Sequence, residues 1–534
     1  MVSRLRPRPG WSGPALAWIP VVLPALVVAT VVILAIGPGL APDVGFWDTG
    51  EFQTILPILG TAHPTGYQTY VILGFVANLL LTPLGEPAFR MNVLSLLSVA
   101  LAAAVAVRLA IRLTGNVAIA MAVGLGLALT PDVWRIGTHA DPHTLHLALV
   151  AILFSLLLRW EHARRDGDPR ADRWLVAAAV VFGLSVGNHS LTLLLALPVG
   201  LYVLSVFPGI VRNPRLVAAC AGALALTVVL VYLELPLRAG PFRAPLVYGK
   251  PDTWAGFWYV ALAEQFRGSL VEPLGDLAGK FRELVDLAVG QFGFVAALIP
   301  AGFLTTLVRY PRFALLTGVS MLITTVFNAA YTNADISRYY LGPILWAWLW
   351  LAVLAGTIFD QVTGGAPEVA KRPEGVVGPL AQVGRPPLGS IGIAAVLAVA
   401  LLVPSIGAFG LRAELANEHS DTSARRWVTA ALKKFEPDAV VVSWWSTSTV
   451  LWYAQYVDHL RSDITVIDDR TRLDLGYGEA TDVIARFLGK RPVYVIRANN
   501  RDLNKVLAVF DLTRVTTSPA KDVYIVVGLR GSGG

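Results

Sequence analysis

Phe46-Trp47-Asp48-Thr49-Gly50-Glu51-Phe52, followed by His63-Pro64-Thr65-Gly66-Tyr67, is the stretch on which the reading of this chain turns. It lies between two long apolar runs, Ala15–Gly37 and Val93–Ile111. Ionisable groups at the edge of such runs are costly and default to function or to paired structure. If a helix begins near Asp48, Asp48 and Glu51 stand at i and i+3 and point to one side. Two readings stand for them. They do chemistry, or they cap the helix, since Asp–Thr–x–Glu resembles a helix start. In the second motif Pro64 and Gly66 fix a tight turn that presents His63 and Tyr67; the plainer reading is a simple chain reversal.

Working outward, the apolar runs recur along 534 residues that are 55% hydrophobic and only 15% charged, with a mean hydropathy of +0.61. A soluble domain carries about 25% charged residues. Runs of about 20 apolar residues read as membrane spans. Eleven are expected, near 15–37, 91–112, 117–131, 143–159, 174–187, 190–207, 216–236, 284–307, 313–330, 339–359 and 390–411. The first is too long, and lacks a small-residue cleavage site, for a cleavable signal. The net charge of +7 does not indicate nucleic acid, because the basic residues are scattered through short loops and form no single face. A single cysteine, Cys220, excludes a disulfide framework.

The arginines set orientation. Arg4, Arg6 and Arg8; Arg108 and Arg112; Arg159, Arg164, Arg165, Arg170 and Arg173; Arg212 and Arg215; Arg309 and Arg312; and Lys371, Arg372 and Arg385 occupy every second connection. The positive-inside rule places these in the cytoplasm, with the N-terminus. This parity holds only if Gly66–Leu81 does not cross. That segment is therefore expected to be an interfacial helix, 66–81, within a first outer loop, 38–90. A second outer loop covers 237–283, and a Gly- and Pro-rich cytoplasmic loop covers 360–388. The polar clusters then all fall outside: the two opening motifs, His139-Ala140-Asp141-Pro142-His143, Asn188-His189, Glu234 with Arg238, and Asn333 to Tyr340. Convergence on one face argues for one site.

Within that site, Arg338 with Tyr339 opens a span from outside, and its planar fork suits phosphate. Arg90 and Arg238 compete for the same role, against snorkelling or pairing with Glu234 or Asp335. His139, Asp141 and His143 have a metal-like look, but zinc needs three or four convergent ligands. His139, His143 and His189 read better as donors to phosphate or sugar hydroxyls, and His146 as a packed residue. No residue is assigned to a metal. Beyond residue 411 apolar strands alternate with amphipathic helices, so 412–534 reads as a small extracytoplasmic α/β domain behind a mainly α, polytopic domain at 1–411. Helices are expected near 422–434, 447–460, 477–488 and 501–510. The absence of a Gly-rich loop after its first strand argues against a nucleotide site. Trp444, Trp445, Trp452 and Tyr453 line an acceptor groove, or equally form that domain's core or an interfacial belt.

The opening motifs, with Arg90-Met91-Asn92, Gly187-Asn188-His189 and Leu451-Trp452-Tyr453-Ala454-Gln455-Tyr456, resemble glycosyltransferase family 117, whose vertebrate member is an O-mannosyltransferase acting on plexin-type domains. Gln68 stands where that family leads one to expect proline. The resemblance covers the first half well and the tail loosely. It implies a GT-C fold, a polyprenyl-phosphate sugar as donor, and Asp48 or Glu51 as the catalytic carboxylate of an inverting transfer. The acceptor hydroxyl belongs to a protein Ser/Thr, a glycan or a lipid, and the sugar is mannose or another hexose. A carboxylate has a task there, since a hydroxyl must lose its proton as it attacks the anomeric carbon. It can instead bind a divalent cation, Mg or Mn, that offsets the phosphate's charge; no other cofactor is expected. Ala- and Arg-rich composition points to a bacterial inner membrane. A transporter or flippase of lipid-linked sugar is the rival class. It predicts polar groups spread through the bilayer and inverted repeats, and neither is visible. A receptor would leave the acidic and histidine motifs without a task.

Overall fold

A computed structural model describes residues 19–269, 275–332, 335–364, 388–515, 518–520 and 522–531. Arg4, Arg6, Arg8, Asn333, Ala334, Lys371, Arg372 and Arg385 lie outside the described residues. All eleven expected spans contain helix. In chain order the helices are α1 (Ile19–Ile36), α2 (Trp47–Ile58), α3 (Gln68–Leu80), α4 (Pro87–Thr114), α5 (Val117–Ala128), α6 (Pro131–Ile136), α7 (Pro142–Arg165), α8 (Asp172–Asn188), α9 (Ala196–Val206), α10 (Pro214–Tyr232), α11 (Glu234–Ala239), α12 (Trp254–Ala261), α13 (Leu277–Phe292), α14 (Ile299–Arg309), α15 (Pro311–Ala330), α16 (Leu341–Val362) and α17 (Leu388–Gly407). Among the described residues eight helical segments are long and apolar enough to cross a membrane. The chain is a multi-pass membrane protein.

The bundle is centred on α16, whose residues from Leu341 to Ala352 are almost all buried against α4, α5 and α7. Close approach there depends on small residues. A Cβ on Gly126 would stand 2.5 Å from the Trp348 ring, whose Nε1 donates to Thr130 Oγ1 at 3.0 Å. Trp348 and Trp350, whose Nε1 donates to Thr317 Oγ1 at 2.9 Å, thus fill the centre with their one polar atom satisfied.

The segment expected to lie at the interface is helix α3. Its 13 residues reach only about 20 Å, short of the roughly 30 Å of hydrocarbon. One face is buried through Thr69, Tyr70, Val71 and Gly74, while Leu73, Val76, Leu79 and Leu80 are exposed. The Thr69 hydroxyl donates to the Leu184 carbonyl at 2.7 Å, tying it to α8.

After α18 (Phe409–Leu415) the chain forms the tail: α19 (Ser423–Leu432), β1 (Val440–Val442), α20 (Trp445–Tyr456), β2 (Thr465–Ile467), α21 (Thr471–Asp474), α22 (Ala480–Phe487), β3 (Val493–Val495), α23 (Asn500–Leu507), β4 (Phe510–Arg514) and β5 (Tyr524–Leu529). The sheet order is β2-β1-β3-β5-β4, parallel across β2, β1 and β3 and antiparallel beyond. Strand β4 corrects the sequence reading, which ended a helix at 510. Its Phe-Asp-Leu-Thr-Arg alternates like any amphipathic segment, and only pairing with β5 makes it a strand. Central β1 is buried on both faces, Val440 and Val442 in one cluster and Val441 in the other.

The tail seats on the first loop. Arg425 forks onto Asp43 at 2.8–3.0 Å, and Tyr453 Oη accepts from the Ala88 amide at 3.1 Å. Helices α2 and α20 pack so closely that a Cβ on Gly50 would lie 2.3 Å from the Gly45 carbonyl and 2.9 Å from Thr449 Oγ1. Gly50→Ala is expected to cost about 1–3 kcal/mol by overpacking. The check is thermal unfolding of the purified chain with limited proteolysis of the tail. Wild-type melting and unchanged resistance would refute the contact.

Candidate functional site

The site forms where α2, the turn after it, the start of α7, the end of α8, the start of α16 and the first residue of α20 meet. Neither Asp48 nor Glu51 caps α2, which has no side-chain cap bond. Asp48 accepts from Trp445 Nε1 at 2.9 Å and from Arg338 Nη2 at 3.3 Å. Glu51, 1% exposed, accepts from the His63 amide at 2.8 Å and meets His63 Nδ1 in a short contact. One ligand atom each of Asp48, Glu51 and His63 lie within 4.8 Å of one another. Asp48 is the more open carboxylate, its side chain 30% exposed against 2% for Glu51.

The electrostatics follow from this crowding. Burial alone would raise Asp48, but His63, Arg338 and the Trp445 donor outweigh it and leave it below the usual carboxylate value. Burial raises Glu51 and opposes charge on His63. The carboxylates of Glu51 and Asp48 nevertheless lift His63 above its ordinary value.

A ring of aromatic and imidazole groups continues from there. Tyr67 Oη lies 3.4 Å from His63 Nε2, and its ring centroid is 5.5 Å from that of His189. His189 is 4.7 Å from His143, which stacks on Tyr339 at 5.2 Å. His143 Nδ1 is committed to Asp141 at 2.8 Å. The Nε2 atoms of His143 and His189 are buried with no hydrogen-bond partner among the described residues. Buried polar atoms are normally satisfied, so these two are poised for a ligand hydroxyl or phosphate oxygen.

Of the residues singled out in the sequence, Asp48, Glu51, His63, Tyr67, His143, His189, Arg338 and Tyr339 come together. Three do not. Arg90 donates to Gly85 and Asn78, and Arg238 to the Leu59 and Ile58 carbonyls ending α2. Both guanidiniums donate to loop and helix-end carbonyls away from the Asp48–Arg338 cluster. His139 turns to Glu418 at 2.9 Å and links the tail to the rim. The aromatic alternatives for the tail divide: Trp452 and Tyr453 are core, Trp444 meets Trp47 edge-on at 4.9 Å, and Trp445 enters the site.

Two residues named in the sequence reading were given no role in the site there, Asp141 within the His139–His143 cluster and Asn92 within the resemblance. Asp141 caps α7 through the His143 amide and also faces Arg338 Nη1 at 3.5 Å; its position just ahead of Pro142 was the available signal. Asn92 accepts from Gln53 Nε2 and the Ala140 amide, both at 2.9 Å, locking α2 to the loop before α7. Burial would raise Asp141, but His143, Arg338 and His139 hold it well below the carboxylate range. A depressed acid stabilises the fold above its unfolded value of about 3.9 and loses that contribution as pH falls below it. Asparagine caps a helix as well as aspartate, so Asp141→Asn isolates the charge. The melting difference between wild type and variant should be full at pH 6 and should shrink at pH 3. A difference independent of pH would refute the assignment.

Residues 48–207 match the family described as the N-terminal domain of protein O-mannosyl-transferase TMEM260. The mouse protein of that name is 29% identical over 220 residues, which are 39% of this chain and 29% of the mouse protein. The chain is similar to TMEM260 over that segment. Two solved structures share the fold. ArnT from Cupriavidus metallidurans bound to undecaprenyl phosphate superposes with a TM-score of 0.54 at 16% identity, covering 96% of this chain and 98% of ArnT. The archaeal oligosaccharyltransferase AglB from Archaeoglobus fulgidus, in complex with an inhibitory peptide and a dolichol-phosphate, gives 0.51 at 13% identity over 90% of this chain and 70% of AglB. The TMEM260-like segment contains both opening motifs, Asp141, His143 and His189, whereas Arg338 and Trp445 lie beyond it.

Proposed function

We infer that this chain is a membrane glycosyltransferase moving a hexose, mannose by its TMEM260 likeness, from a polyprenyl-phosphate donor to an acceptor hydroxyl, a protein Ser/Thr for the same reason. The observation that carries this reading is the meeting of an open carboxylate, Asp48, with one guanidinium, Arg338, beside two buried imidazole nitrogens that lack partners. Those are the groups an in-line sugar transfer needs: a base, a phosphate clamp and hydroxyl ligands.

Asp48 takes the acceptor proton as the hydroxyl attacks the anomeric carbon from the face opposite the phosphate, so configuration inverts. Arg338 holds its carboxylates only loosely, at 3.3 and 3.5 Å, and can turn its fork to the departing phosphate. His143 and His189 bind sugar hydroxyls, with Tyr67 and Tyr339 as walls. Glu51 acts through His63, as a positioning residue. A cleft of about 710 Å³ lined by Pro131, Arg135, Phe294, Pro404 and Leu411 lies beside the site and suits a prenyl chain; Arg135 reaches Arg338 through Asp335. Asp48, Glu51 and His63 would hold a divalent cation if it displaced the Glu51–His63 contact, and their mixed oxygen and nitrogen donors would suit Mn²⁺ better than Mg²⁺. Such an ion would supply positive charge near the leaving phosphate. The tail and first loop share the extracytoplasmic side, with the N-terminus in the cytoplasm of a bacterial inner membrane.

Reconstituted full-length chain, given polyprenyl-phosphate mannose and a Ser/Thr-rich peptide, should yield a peptide heavier by one hexose in mass spectrometry. A nucleotide-linked mannose should yield none. Transfer from the nucleotide sugar, or movement of the lipid-linked sugar across the bilayer without transfer, would overturn the reading.

A further inference from the structure

At the end of the bundle opposite the site, the charges divide into two groups. One is neutralised. Glu161 meets Arg165 at 2.6 Å, Arg312 at 3.3 Å and Tyr202 Oη at 2.5 Å; Arg309 meets Asp360 at 2.8 Å, and Arg164 meets Asp172 at 3.0 Å. The other is not. Arg108 and Arg112 on successive turns of α4 and Arg159 on α7 are half-buried and near enough to repel one another. Arg112 donates to the Ser155 carbonyl at 3.1 Å, and Arg108 Nε is buried with no hydrogen-bond partner. Arg159 lies 3.5 Å over the Trp174 ring of α8, with Arg173 at 4.7 Å from the same ring. Among the described residues no carboxylate forms an ion pair with Arg108, Arg112 or Arg159; Asp168 offsets Arg159 only at longer range.

Like charges half-buried together are unfavourable unless an anion joins them. The depth of the cluster says which anion. From His143 to Arg159 is sixteen residues of one helix, about 24 Å, close to the thickness of the hydrocarbon layer. The cluster therefore sits at the headgroup level of the far leaflet, where basic pockets between helices hold phosphate headgroups. A snorkelling arginine would point away from its neighbours into water; Arg112 instead donates across to the Ser155 carbonyl of α7, and Arg159 of α7 stacks on Trp174.

We propose that Arg108, Arg112 and Arg159, the last stacked on Trp174, form a binding site for the phosphodiester of an anionic phospholipid, separate from the transfer site. The fork of Arg108, with its unmatched Nε, supplies the directional contact. The proposal does not depend on the transferase reading.

The test uses the full chain in a zwitterionic detergent, titrated with phosphatidylglycerol, phosphatidylcholine or inorganic phosphate while thermal unfolding is followed. Phosphatidylglycerol should raise the unfolding temperature saturably, and the other two should not. Arg108→Gln and Arg159→Gln should each weaken that effect at least about ten-fold, as expected for loss of one charge-assisted fork. Arg215→Gln, at the exposed start of α10 on the same side, should leave it unchanged. Without lipid, Arg108→Gln should melt no lower than wild type, because it relieves repulsion. Equal binding by both cluster variants, an equal loss in Arg215→Gln, or saturation by inorganic phosphate at the lipid's concentration would each overturn the proposal.

Discussion

Asp48→Asn is expected to lower sugar transfer by about 10²–10⁴-fold, the range that positioned general bases contribute, with the purified chain still folded. Asparagine has the same shape and can still accept from Trp445 Nε1, the 2.9 Å bond that anchors Asp48 to the tail. What it loses is basicity and the loose 3.3 Å pairing with Arg338. A partly exposed pair of that length is worth about 1 kcal/mol or less, so melting should barely move. Asp48 is the one carboxylate of the pair that is open to a substrate. Glu51 is sealed behind His63, with both oxygens engaged by the His63 amide and ring. Single-turnover rates for Asp48→Asn with saturating donor separate chemistry from binding. A rate within a few-fold of wild type would remove Asp48 as the base.

Local patterns made most of the membrane fold legible. Apolar runs gave the helices, and arginine placement, with the shortness of the segment, argued that 66–81 does not cross; the helix there, α3, has 13 residues and one buried face. Asp48, Glu51, His63 and Tyr67 were legible because they crowd one loop. Trp445 was only half legible: its bond to Asp48 spans 397 residues, and indoles in an α/β domain are usually core. The placement of Arg90 and Arg238 was illegible for a related reason. Their charge and loop suited phosphate, but backbone carbonyls at the ends of helices and turns carry no sequence mark. Asp141 was hidden behind an ordinary role, since a helix cap and an ion-pair partner look identical in sequence.

Arg338→Met should carry two separable costs. The guanidinium is 17% exposed and faces Asp48, Asp141 and Asp335 at 3.3, 3.5 and 4.0 Å. Removing one partner of a buried pair costs about 3–5 kcal/mol, because the other charge is left in a poorly solvated place. Here the lower end, about 3 kcal/mol, applies, since His143 still meets Asp141. Transfer should fall as well, because Arg338 is the guanidinium from the sequence-level set that remains free of backbone carbonyls and close to the base. Adding Asp141→Asn removes the orphaned charge, so the double variant should regain most of the stability. The two residues are in contact, and their effects should therefore be strongly non-additive in melting. Transfer should not return with it, because asparagine cannot supply a cation to a departing phosphate. Recovery of transfer together with stability would reduce Arg338 to a structural counter-ion. Recovery of stability alone would leave the phosphate without its clamp in an intact site.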